Sequence, residues 1–313
     1  MNNENLLPLE TILVITDITH SGSCALRYAR RMAEEHGSKL VVVHAIDPAG
    51  YAFPGGVPES AVTDQQAFHV FEQIENEIRE QGIQIHALVE TEIIYERILQ
   101  TARDHHADLI VLDTRAVSGI GRTALGTVAR RLLASAPCPI LTVPPGAGAN
   151  LESGRHWRNV LVATDFSTGS LRALHHAQSI AARQLIVIHV IGDSANDHEH
   201  YYLEVLRFLA PMNESHTVPV EHVVRSGEPG AVIAQQAGYF GADLVVLGSP
   251  LNEVRNEAAQ ASTVLQVISN VRCPVLCVPP VENPAVSEVV EEIAFSIRKC
   301  VSAIADEGSS SRL

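Results

Sequence analysis

The chain writes most of itself twice. "ILVITD" (12–17) returns as "VLVATD" (160–165), and "VVVHAID" (41–47) returns as "VIHVIG" (187–192). "ADLIVL" (107–112) returns as "ADLVVL" (242–247), and "CPILTVPP" (138–145) as "CPVLCVPP" (273–280). A duplication on this scale restricts the fold to one unit built twice, each copy closing its own core. Asp17 and Asp165 are 148 residues apart, whereas Ala107 and Ala242 are 135 apart, so the second copy is 13 residues shorter over that span. The loss is expected in the connection between its second and third strands.

Within each copy, short β-branched runs alternate with stretches of helical period. In the first, strands are predicted at 12–16, 40–46, 84–89, 108–112 and 139–143. Helices are predicted near 21–36, 59–81, 93–105 and 127–135, the first with Ala25, Tyr28, Ala29, Met32 and Ala33 on one apolar face. Strands apolar on both faces and separated by helices imply a parallel sheet covered on two sides. The expected class is therefore α/β: two tandem doubly wound, Rossmann-like domains, each a five-stranded parallel sheet with helices on both faces. Domains are placed at 1–146 and 156–281, around the Pro- and Gly-rich linker "PPGAGANLESGRHW" (144–157). A C-terminal amphipathic helix is placed at 284–306, where Val286, Val290, Ile293, Ile297, Cys300 and Ile304 form one apolar stripe. That stripe either docks on this chain or pairs with a second copy in a homodimer.

Charge and cysteine content narrow the function. The net charge of -14 leaves neither half a basic arm, which argues against nucleic-acid binding. No apolar run reaches membrane-spanning length and the N-terminus lacks a basic export-signal region, so a cytoplasmic protein is expected. The cysteines Cys24, Cys138, Cys273, Cys277 and Cys300 show no CxxC spacing and fit buried thiols in a reducing compartment. Cys273 and Cys277 read as small core residues of a strand-like run.

In a doubly wound sheet the ligand crevice lies at the carboxyl ends of the strands, where strand order switches. That rule selects Asp17, Ala45 to Asp47 and Asp113 to Ala116 in the first copy, and Asp165, Val190 to Gly192 and Gly248 to Leu251, with Ser249 among them, in the second. The strand 1 aspartates read either as acceptors for a ribose or base, or as caps of the turn that follows. No Gly-x4-Gly-Lys-Ser/Thr occurs, since the lysines are Lys39 and Lys299, and no Gly-x-Ser-x-Gly elbow is present. "DHEHYY" (197–202) reads as a polar loop in preference to a metal site, and His105, His106, His175 and His176 read as helix-surface residues. The loop 47–60, carrying Tyr51 and Phe53, is either a lid or a packed surface loop.

The stretch "LIVLDTRAVSGIGRTALGTVARRLLASAPCPILTVPP" (109–145) resembles the signature end of the universal stress protein family. The "TD" strand, "ADLVVLG" and "CPVLCVPP" resemble it a second time, so the chain is similar to a tandem member over 10–145 and 157–280. The resemblance implies a role in stress survival and pairing of the two domains through their last strands, 139–143 and 274–278, as an intrachain pseudo-dimer. It also implies ATP binding through a Gly-x2-Gly-x9-Gly-Ser/Thr loop, with the strand 1 Asp and the end of strand 2 holding the adenosine. Laid over that loop, the first copy reads Asp113-x2-Ala116-x9-Gly126-Thr127, with Arg115 inside it. The second reads Gly248-x2-Leu251-x9-Ala261-Ser262.

Each copy has thus lost a different part of the loop. Gly126-Thr127 still suits an anion at a helix N-terminus. A carboxylate at Asp113, however, would face the phosphates, and at about 4 Å with an effective dielectric near 20 the repulsion is roughly 4 kcal/mol, nearly three decades of affinity. A magnesium ion bridging Asp113 to phosphate would reverse that sign. The expectation is a regulatory, ligand- or nucleotide-sensing protein with weak ATP binding at most. The rival reading is a slow metal-dependent nucleotide hydrolase or transferase using Asp113.

Overall fold

The computed structural model describes residues 9–16, 24–45, 72, 76, 79–80, 84–90, 94–114, 127–147, 157–181, 183–192, 199–211, 218–249 and 263–279. The chain divides into two compact units, one of Leu6–Glu152 and one containing Ser153–Leu313.

In the N-terminal unit the strands are β1 (Thr11–Thr16), β2 (Lys39–Ala45), β3 (Ile85–Glu90), β4 (Leu109–Asp113) and β5 (Ile140–Val143). They pair in parallel in the order β3-β2-β1-β4-β5. Ile12, Leu13, Val14, Val41, Val42, Ile110 and Val111 are fully buried, as a sheet covered on both faces requires. The helices are α1 (Cys24–His36), α2 (Ile94–Asp104) and α3 (Thr127–Ser135). Helix α1 buries Cys24, Ala25, Tyr28, Ala29, Met32 and Ala33, the apolar face expected from its spacing. Most of the helix expected over 59–81 lies outside the described residues, but residues 72, 76, 79 and 80 are helical.

The C-terminal unit contains β6 (Asn159–Ala163), α4 (Thr168–Ile180), β7 (Gln184–Ile191), α5 (Glu199–Leu209), β8 (Val220–Ser226), α6 (Pro229–Tyr239), β9 (Leu244–Gly248), α7 (Thr263–Asn270) and β10 (Val275–Val278). Its order, β10-β9-β6-β7-β8, is again all parallel and is the same topology. The C-terminal helix expected over 284–306 lies outside the described residues.

Strand registers locate the missing residues. Ile12 faces Leu40 and its equivalent Val160 faces Leu185, so the offset between copies falls from 148 to 145. Leu40 faces Ile85 and Leu185 faces Val220, an offset of 135. The expected loss between the second and third strands therefore accounts for ten residues, and three more are lost between the first and second. The burial pattern of the first helix places those three before it: Ala25, Tyr28, Ala29 and Met32 correspond at an offset of 145 to Ser170, Ala173, Leu174 and Ala177, all buried.

At the amino ends of the sheets the copies agree. Asp108 Oδ2 accepts from Glu10 N at 2.8 Å and Thr11 N at 2.9 Å, clamping the start of β1. Asp243 does the same for β6, accepting from Arg158 N at 2.8 Å and Asn159 N at 3.1 Å. The aspartate of the repeated "ADL" is thus structural. It is preceded in both copies by a left-handed residue that ends the helix, His106 at φ 50 and Gly241 at φ 58. Cys138 and Cys273, which open the last motif, have thiols pushed up to about 12 by burial, with Asp108 and Asp243 adding to the shift. Cys277 is a buried strand residue, as expected, whereas Cys273 sits half-buried in the turn before β10.

Candidate functional site

Strand order switches between β1 and β4 in the N-terminal unit and between β6 and β9 in the C-terminal unit. The carboxyl ends of those strands form the rim where a doubly wound fold binds ligands.

Asp113 is the last residue of β4, and its Oδ1 accepts from Ala25 N, in the first turn of α1, at 3.0 Å. The carboxylate therefore caps a helix from across the crevice. It satisfies an amide that has no intrahelical partner and places negative charge at the positive end of the helix.

Gly248, at the equivalent position, ends β9. A Cβ built on it would lie 2.5 Å from Gly169 C, 2.6 Å from Ser170 N and 2.8 Å from Gly169 O. All three atoms are backbone of the first turn of α4, so no side chain fits. Ser170 is the equivalent of Ala25, and its amide is capped locally by Ser167 Oγ at 3.2 Å. The glycine that reads in the sequence as a lip for phosphate is demanded by close approach of helix to strand. The connections explain the difference: seven residues (17–23) join β1 to α1, but only four (164–167) join β6 to α4.

The exit of β6 is hydrogen-bonded throughout. Asp165 Oδ1 accepts from Ser167 N at 2.9 Å, an Asx turn. Thr164 Oγ1 accepts from Phe166 N at 3.0 Å and shares a hydrogen bond with Ser170 Oγ at 2.9 Å, while Ser170 Oγ approaches Ser167 O at 3.0 Å. Burial works to raise the Asp165 carboxyl, but the bonds from Ser167 and Ser170 outweigh it and hold the group below its ordinary value. The turn expected at this aspartate is formed.

Ala45 ends β2 and Thr127 opens α3. Val190 lies half-buried in β7, and Ser249, just past β9, donates its amide to Val278 O at 2.7 Å. Asp17, Arg115, Gly126 and Ser262 lie outside the described residues, as do Tyr51 and Phe53. Among the described residues no group of three or more His, Cys, Asp and Glu could hold a metal ion. His200 is exposed in the first turn of α5.

One histidine departs from the surface reading. His176 is half-buried on α4, and its Nδ1 is buried without a hydrogen-bond partner among the described residues. Burial, with Arg172 and His175 nearby, pulls its pKa down to about 4. The residues that sequence reasoning passed over are Thr164, Ser167, Gly169 and Ser170. Their signal was the "TDFSTGS" spacing (164–170), an Asx turn running into a serine cap.

Two equivalent α/β units, each with its rim at the switch between the first and fourth strands, define a tandem doubly wound protein. Comparison with known proteins agrees and is more specific. The model of the Universal stress protein family matches residues 8–144 and 156–279. A universal stress protein of Mycolicibacterium smegmatis is 28% identical over 281 residues, covering 80% of this chain and 94% of that protein. One from Thermus aquaticus is 30% identical over 140 residues, 43% of this chain and 98% of its own length. Among solved structures, a universal stress protein from Archaeoglobus fulgidus superposes with a TM-score of 0.60 at 18% identity, covering 87% of this chain and 97% of that one. A functionally unknown protein from Pseudomonas aeruginosa PAO1 gives 0.58 at 19%, covering 92% and 98%. The chain belongs to the universal stress protein family and carries its domain twice.

Proposed function

We propose that this chain is a cytoplasmic stress-response regulator that senses a small ligand and does not turn it over, and that neither crevice is a high-affinity ATP site. The observation that carries the reading is the commitment of both strand exits to a helix N-terminus. Asp113 presents a carboxylate there and bonds it to Ala25 N, and Gly248 is held against Gly169 and Ser170. A nucleotide phosphate at the first exit would meet like charge, and one at the second would meet backbone already packed. Asp165, the strand 1 acceptor for a ribose, is engaged by Ser167 N.

The test is calorimetric titration of the full chain with ATP and magnesium. Binding no tighter than micromolar is expected, and submicromolar binding at either unit would overturn the reading. The enzymatic alternative requires Asp113 to hold a metal while one of its oxygens caps α1. Metal-dependent phosphate release abolished by Asp113→Ala would establish that alternative.

A further inference from the structure

Three aromatic rings meet behind the rim of the C-terminal unit. Phe166, the residue after Asp165, is 2% exposed and holds φ 61, a left-handed conformation that a bulky side chain adopts only when its surroundings impose it. Its ring lies 4.4 Å from His189 of β7 and 6.1 Å from Tyr202 of α5, nearly parallel to the latter at 7°. His189 and Tyr202 close the triangle at 4.7 Å. The imidazole also reaches the strand exit, with Nδ1 2.8 Å from Thr164 O, so Nδ1 carries the proton and donates it. Thr164 in turn accepts from Phe166 N through Oγ1. His189 therefore supports the turn twice, through the ring of Phe166 and through the carbonyl of the residue that binds the Phe166 amide.

We propose that the Phe166, His189 and Tyr202 cluster is a proton-operated latch on this rim, closed while His189 is neutral and released when its ring takes a second proton. Both protonation states keep the Nδ1–H bond to Thr164 O. The second proton falls on Nε2 of a half-buried ring, where a cation held between Phe166 and Tyr202 must give up water that the neutral imidazole does not need. Burial is the strongest influence on His189 and lowers its pKa, with the Thr164 carbonyl and the Asp165 charge opposing. Among the described residues, the titratable groups on the elements packed beside it include Tyr202, with Glu199 and His200 exposed in the first turn of the same helix, and His222 on β8. His222 lies two residues before Val224, the strand partner of His189, and its Nε2 is 2.8 Å from Ala210 O. A folded-state value below the ordinary one means the closed rim is fully favoured above about pH 6.5 and loses that advantage as pH falls. The latch does not depend on nucleotide binding at either crevice.

The full chain, isotope-labelled at histidine and at backbone amides, is followed by NMR from about pH 8 to about pH 4. His189 is expected to titrate below about 6.5. The Phe166 amide, corrected for intrinsic chemistry, is expected to exchange faster by up to about tenfold per pH unit below that point. His189→Gln, which can still donate to Thr164 O but takes up no proton, is expected to abolish the acceleration. A His189 that titrates at its ordinary value, or one that titrates low with no response at Phe166, reduces the cluster to core packing and overturns the proposal. Should His189→Gln fail to fold, the wild-type titration decides alone.

Discussion

Asp113 and Gly248 stand at the same place in two copies of one fold, and each meets the same structural feature, the first turn of the helix after strand 1. In the N-terminal unit a longer connection accompanies a carboxylate that reaches Ala25 N. In the C-terminal unit a connection three residues shorter accompanies a helix packed so closely that only hydrogen fits on Gly248, and Ser167 caps Ser170 instead. At the other end of the sheets the copies stay closer, since Asp108 and Asp243 each accept from two backbone amides at the start of β1 and β6, Asp108 through one oxygen and Asp243 through both. The two copies thus agree at the amino ends of their sheets and differ at the carboxyl ends. A glycine in a phosphate-loop position is thus no measure of phosphate binding until its neighbours are known.

The comparison breaks most easily at Gly248. Gly248→Ala is expected to lower the stability of the C-terminal unit by about 3 kcal/mol in urea unfolding, because its Cβ meets backbone that cannot rotate away. Asp113→Gly, the reverse exchange, is expected to cost the N-terminal unit about 1 kcal/mol, a lost cap without a clash. Equal losses at the two sites would dissolve the asymmetry. Asp108→Ala and Asp243→Ala sharpen it from the other side: each removes two bonds from one carboxylate and is expected to cost about 2 kcal/mol in its own unit.

A smaller effect separates the units by pH. His176 replaces what is Arg31 in the first copy, where the side chain lies on the surface and pairs with Glu35 at 3.1 Å. With its pKa at about 4 in the fold, His176 stays neutral where the unfolded chain protonates. Its depressed value therefore means full stability above about pH 6.5, lost as pH falls toward about 4. His176→Leu is expected to flatten the acid limb of the C-terminal unit's stability profile, measured by thermal unfolding across pH, and to leave the N-terminal unit's unchanged.

The sheet and its helices were legible because they rest on period. Runs such as "LIVL" (109–112) and the Tyr28, Ala29, Met32 face of α1 have no other stable burial. The topology followed from alternation, and the family from "CPILTVPP" and its echo. The rim was legible only as a set of positions. Nothing in the spacing of Asp113 announces that its partner is an amide 88 residues earlier, because a cap delivered across a crevice leaves no local pattern. The role of Gly248 likewise depends on Gly169, whose nearness exists only once β6, β9 and α4 are assembled. His176 was misread because helix position alone does not reveal how much of a flank neighbouring elements cover.

Backbone amide exchange at Ala25 and Ser170 tests most directly whether the two helices are capped by different means. In Asp113→Ala the account predicts lost protection at Ala25 with Ser170 unchanged, and in Ser167→Ala the reverse. An Ala25 amide that stays protected without the Asp113 carboxylate would contradict it.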